Sequence, residues 1–153
     1  MLIGTLLNNS ESWINLTRKD IVSIEKPDVM LLQKVLGSNG NPSTAFMYLE
    51  LGILPARFVI MKKRLNFLRY ILREDMGSMI RQVYEALKTE SRNGDFVNLV
   101  KKDMDELDIQ LSEEDIQNTT KLVWKNFVNE KVVEECLRFL TEENSEKKLN
   151  LNI

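Results

Sequence analysis

Apolar positions along this 153-residue chain recur mostly at intervals of three to four, the period of an amphipathic helix rather than the alternation of a half-buried strand. Thr17-Arg18-Lys19-Asp20 has the form of a capping box. Its threonine hydroxyl can accept from the backbone amide three residues on, and its acid suits the dipole of a first turn. A helix is predicted from there through Ile21, Ile24, Met30, Leu31 and Val35. Gly37 is its stop, and Pro27 is expected to kink it or divide it into two shorter helices. "GSNGNPST", Gly37 to Thr44, reads as a loop. Ser43 or Thr44 then caps "AFMYLEL", Gly52 closes it, and Pro55 stands at the first turn of a long helix.

The pattern continues in the second half. After Asp75-Met76-Gly77-Ser78 a helix is predicted with Ile80, Val83, Tyr84 and Leu87 on one face, ending near "SRNGD". Asp95 caps the next, which carries Phe96, Leu99, Val100, Met104 and Leu107, and Ser112-Glu113-Glu114-Asp115 is a second capping-box start. Thr119 or Thr120 opens a final helix burying Val123, Trp124, Phe127, Val128, Leu137 and Leu140, and the polar tail "TEENSEKKLNLNI" is expected to fray. The fold class is therefore all-α, an irregular helical bundle of about six to seven helices, with a boundary near Gly77. Six Gly and three Pro are too few for the frequent tight turns of a sandwich or barrel.

Along "LPARFVIMKKRLNFLRYILR", Leu54 to Arg73, a turn of about 100 degrees per residue puts Phe58, Met61, Leu65, Leu68 and Leu72 on one stripe. Lys62, Arg69 and Arg73 fall beside it, and Ile60, Phe67 and Ile71 form a second apolar stripe. The segment holds six cations and no acid. A membrane span is excluded because each central Lys or Arg costs roughly 2.5 to 3.5 kcal/mol on insertion scales. Two readings of the cations remain: side chains that snorkel from a core helix into water, or a strip about three turns long that follows phosphates along a nucleic-acid backbone.

Charge adds an asymmetry to this picture. Met1 to Met76 carries 10 Lys+Arg against 7 Asp+Glu, and Gly77 to Ile153 carries 11 against 16. An acidic second half could meet a basic protein partner. One cysteine and no histidine leave no disulfide framework, no ordinary zinc site and no Ser-His or Cys-His dyad, so Cys136 reads as a small core residue. The adjacent acids Glu74-Asp75, Glu113-Glu114-Asp115, Glu134-Glu135 and Glu142-Glu143 point about 100 degrees apart on a helix and read as solvated faces or first-turn acids. No complete catalytic or metal site is found, and no cofactor is expected. "MLIGTLLNNSESW" lacks a basic n-region and a small-residue cleavage pattern, which points to an intracellular protein, cytoplasmic or nuclear.

"LLNNSESWINLTRKDIVSIEKPDVMLLQKVLG" followed by "MYLELGILPARFVIMKKRLNFLRYIL" resembles the segment after the palm in the reverse transcriptases of LINE-type non-LTR retrotransposons. In that family a run like "LL-Y-G-S-E-T-W" precedes a helix ending "LRR-IL-G", and a small loop, "LYLELGxLP" and a long basic-apolar helix follow. The likeness is close from Leu6 to Leu72, and "DMDELDIQLSEEDIQNTTKLVWKNFV" looks like helices further downstream. Asn8-Asn9 replaces the usual Tyr-Gly, and Pro27 and Asp28 depart from the usual helix-friendly residues.

The resemblance implies a thumb-like region over residues 1–76 and a downstream acidic helical region over 77–153. It also implies a parent polymerase with an upstream palm. The palm's Ala-Asp-Asp box, whose carboxylates hold the catalytic metal ions, does not occur in this sequence, so a noncatalytic fragment is expected. A polymerase thumb grips template and primer through their backbones. Lys62, Lys63, Arg64, Arg69 and Arg73 thereby become the candidate contacts to RNA or an RNA–DNA duplex, while Trp13, Tyr48 and Glu50 are expected in core or capping roles.

Overall fold

The computed structural model describes residues 7–12, 16–37, 43–90 and 92–151, with the side chains of the last helix followed as far as Glu146. Trp13 and the loop positions 38–42 lie outside the described residues. A short 3-10 turn, Ser10–Ser12, precedes seven α-helices. These are α1 (Arg18–Val35), α2 (Thr44–Leu51), α3 (Ala56–Arg73), α4 (Met79–Glu90), α5 (Phe96–Glu106), α6 (Glu113–Asn118) and α7 (Lys121–Leu151). The described residues contain no strand, and the chain is all-α.

Both capping boxes form. The Thr17 hydroxyl accepts from the Asp20 amide at 3.2 Å and the Asp20 carboxylate accepts from the Thr17 amide at 2.8 Å. Ser112 and Asp115 repeat this at 3.1 and 3.0 Å. Ser43 caps α2, and Gly52 closes it at φ 61, a left-handed conformation that a glycine adopts without a Cβ penalty. Pro27 lies inside one continuous helix and does not divide it. Pro55 precedes α3, where its carbonyl accepts from the amides of Phe58 and Val59. The tail expected to fray stays helical to Leu151.

The chain divides into two compact units that cut across the single boundary expected at Gly77. The first comprises Met1–Asn8, Thr17–Val59 and Val133–Ile153; the second comprises Asn9–Leu16 and Ile60–Val132. The physical reason is that α3 and α7 are long, and each contributes to both units.

In the first unit Leu32, Met47, Tyr48, Phe58 and Leu140 are buried, with Phe58 meeting Phe139 edge to face at 5.9 Å. The Arg57 guanidinium stands 5.1 Å from both ring centroids. The Glu25 carboxylate accepts the Ala56 amide at 2.8 Å, so the start of α3 is capped by a side chain 31 residues upstream. Burial raises the pKa of Glu25, against the backbone donors that favour its charge. Cys136 is buried as expected, and burial pushes its thiol up to about 11, which leaves it protonated and inert near neutral pH. Glu50, by contrast, is exposed on α2 and fills no core position.

The second unit is organised around α3. Within it, Met61, Leu65, Leu68 and Leu72 of the first apolar stripe are all at most 2% exposed, and Ile60 and Ile71 of the second stripe are buried as well. The sequence pattern succeeds here because a helix surrounded by others must be apolar on most of its circumference. It fails on α7, where Val123, expected inside, is 58% exposed, and Val83 on the apolar face of α4 is 53% exposed. Leu137, further along α7, is exposed as well. Val128, Val132 and Cys136 follow Trp124 at four-residue spacing and form the buried stripe of α7.

A polar tie joins the start of α6 to α4. The Tyr84 hydroxyl donates to Glu113 at 2.7 Å and the Lys88 ammonium donates to the same carboxylate at 2.8 Å. Burial alone would raise Glu113, but the Lys88 ammonium and the Tyr84 hydroxyl outweigh it and hold the carboxyl below its ordinary value of 4.5. The stability from this lowered carboxylate is present above pH 4.5 and is lost as pH falls through the folded-state value. Glu113→Gln is therefore expected to be less stable than wild type by up to about 1 kcal/mol above that pH, a small figure because the pair is part-exposed. The gap should close on acidification. Urea midpoints at several pH values check this, and a gap that widens in acid would refute the assignment.

Candidate nucleic-acid interface

The five cations singled out on α3 meet different fates. Arg64 donates to Asp103 of α5 at 2.7 Å, with side-chain exposures of 11% and 8%. This is a buried ion pair inside the second unit. Arg69 is buried as well, and two of its nitrogens donate to the Thr119 carbonyl at 2.9 and 2.7 Å. Thr119 is the C-terminal cap of α6, where a cation satisfies an otherwise orphaned carbonyl and suits the helix dipole. Lys62 is half-buried and donates to Asn129 at 2.9 Å, and Lys63 is half-buried. Arg73, at the last residue of the helix, is exposed.

A continuous cationic strip along α3 is thus not what the fold presents. Charge collects instead at its C-terminal end. A surface depression of about 320 Å³ is lined by Asn66, Arg69, Tyr70, Arg73 and Glu74 from α3 and the residue after it, and by Lys121, Trp124 and Lys125 from the first turns of α7. Four cations face a single carboxylate. Among the described residues no carboxylate lies within ion-pairing distance of Arg73, Lys121 or Lys125.

Burial, and then the neighbouring charge of Arg73, push the Arg69 guanidinium down from its ordinary value. Arg69 stays charged, because a guanidinium does not lose its proton in proteins. Burial is the larger cause of its downward shift and the charge of Arg73 the lesser one. The floor of the depression is rigid: Trp124 is 1% exposed and its indole N–H donates to the Leu65 carbonyl at 3.1 Å.

Lys121, Lys125 and Tyr70 were not among the sequence candidates. The spacing of Lys121 and Lys125 places them on one face of a helix start, which is a visible signal. Their meeting with Arg73, about fifty residues away, is a property of how α7 packs on α3. Among the described residues no group of three or more Cys, Asp or Glu could hold a metal ion. No single helix among them is long and apolar enough to cross a membrane. Comparison with family models, with curated proteins and with solved structures finds no match to this chain.

Proposed function

We propose that this chain is a noncatalytic thumb and post-thumb segment of a LINE-type non-LTR reverse transcriptase, contributing salt-dependent contacts to the backbone of a template–primer duplex. The observation that carries the reading is the cluster of Arg69, Arg73, Lys121 and Lys125 around one depression, with three of the four lacking a carboxylate partner among the described residues. The order of the motifs supports the same reading: Ser10-Glu11-Ser12-Trp13, then Tyr48-Leu49-Glu50-Leu51-Gly52, then the basic-apolar helix. Chemically, an unpaired surface cation gains by releasing the counterions condensed on a phosphate chain.

The test is a fluorescence anisotropy titration with an RNA–DNA duplex at several salt concentrations. If Arg73, Lys121 and Lys125 each meet one phosphate, their contribution to affinity should fall about 40-fold between ~50 and ~200 mM salt, using the slope for duplex DNA. The variant carrying Arg73→Ala, Lys121→Ala and Lys125→Ala should bind more weakly at low salt and show a log–log slope shallower by roughly 2 to 3. Far-UV circular dichroism of the variant controls for folding. Identical curves for variant and wild type would refute these contacts.

A second reading, a helical protein-interaction module with no nucleic-acid role, is favoured by one feature of the second unit. Met79 and Val83 lie one turn apart on α4 and are 82% and 53% exposed, two apolar side chains open to solvent on one helix. Absence of nucleic-acid binding at low salt, together with a captured partner that Met79→Ser with Val83→Ser releases, would select this reading.

A further inference from the structure

We propose that the depression is built for one unpaired nucleotide of a single strand, with the base stacked on Tyr70 and the phosphate held by Arg73, Lys121 and Lys125. This inference rests on the nucleic-acid reading of the same site and narrows it from duplex backbone to a single-stranded segment or overhang.

The first ground is an aromatic row that ends at the depression. Phe96 of α5 meets Phe67 of α3 edge to face, with ring centroids 5.7 Å apart and an interplanar angle of 83°. Phe67 in turn stacks on Tyr70 at 5.9 Å and 15°. Tyr70 is the terminal ring of the row and is 50% exposed, although it sits on the helix that is otherwise the most buried in the unit. Its packing against Phe67 holds the ring in place, and a positioned, half-exposed aromatic surface beside cations is what a stacking platform for bases requires.

The second ground is the mismatch between this arrangement and a duplex. A backbone-only contact uses cations and hydrogen-bond donors and has no use for a ring, because duplex bases already stack on each other. An unpaired base has a free π-face, and its own phosphate lies within reach of the same small site. The volume, about 320 Å³, is at the small end for ligand sites and suits about one nucleotide. Trp124 does not compete as a platform, since it is buried and its N–H is engaged by Leu65. Glu74, the one acid on the rim, disfavours a second phosphate and favours an amino or imino donor on a base edge.

The experiment compares a fluorescent oligouridylate of about ten nucleotides with a blunt RNA–DNA duplex of the same length, using the full chain at low salt, with inorganic polyphosphate as competitor. The single strand is expected to bind more tightly than the duplex. Tyr70→Ala should weaken single-strand binding about tenfold or more while leaving duplex binding within about twofold, and Tyr70→Phe should bind like wild type because the ring is retained. Equal binding of the two nucleic acids, with Tyr70→Ala indistinguishable from wild type, would overturn the nucleotide site and leave the backbone reading standing. Polyphosphate that displaces the oligouridylate as well as unlabelled oligouridylate does, at equal charge, would likewise overturn it by showing that charge alone acts. Failure of both nucleic acids to bind would overturn the site and the reading together.

Discussion

Trp124→Ala is expected to lower the unfolding free energy by about 3 to 5 kcal/mol, a large share of the roughly 5 to 15 kcal/mol that holds a typical domain folded. The residue is 1% exposed, and its indole bridges α7 to the Leu65 carbonyl at 3.1 Å. Truncation removes the buried ring surface and leaves a cavity beside Leu65 and Val128, both fully buried, on helices too long to collapse locally. Trp124→Phe separates the two contributions. It keeps much of the ring and loses the hydrogen bond, so it should cost less than alanine, with about 1 kcal/mol assigned to the bond itself. Urea denaturation followed by far-UV circular dichroism measures both variants. A loss below about 1 kcal/mol for the alanine variant would show that Trp124 does not anchor the second unit.

The Arg64–Asp103 pair should behave differently, because its energy is mostly the cost of breaking it. Removing either partner strands a charge at a site where both side chains are about one-tenth exposed. Arg64→Ala is expected to cost about 3 to 5 kcal/mol, and Asp103→Ala a similar amount. Replacing both by apolar residues of similar length, Arg64→Met with Asp103→Leu, should recover most of that loss, since two desolvated charges then disappear together. The double-mutant cycle, with Arg64→Met and Asp103→Leu alone as its single corners, is the measurement, and a strongly negative coupling is the expected result. Near-additive losses of a few tenths of a kcal/mol would mean that water screens the pair. The same experiment bears on function: an arginine committed to Asp103 should leave the salt dependence of nucleic-acid binding unchanged when replaced by Met in the folded double variant.

Helix starts and stops were readable because their causes are local. Thr17 with Asp20, Ser112 with Asp115, Ser43, Asp95 and Gly52 act within three or four residues, so a linear sequence displays both members of each interaction. The stripe from Phe58 to Leu72 was readable for the same reason, since period alone reports which positions share a face. Val123 was misplaced because period says which face is apolar but not whether a neighbour covers it, and Val83 is open to solvent for the same reason. Glu25 as the cap of α3 left no sequence signal at all, as its partner amide lies 31 residues away.

The cations on α3 show where reading from sequence stops. Their number and their strip follow from composition and helical period. Which of them is spent inside the fold depends on what packs opposite: Asp103 on α5 takes Arg64, and the end of α6 takes Arg69. The packing of α7 then sets Lys121 and Lys125 beside Arg73 and the open ring of Tyr70, a grouping of residues from two distant segments. The chain's local hydrogen bonds and its apolar period establish an all-α protein with a central basic-apolar helix. Long-range side-chain pairing, driven by the penalty for burying an unmatched charge or carbonyl, sorts those cations into structural ties and a surface cluster.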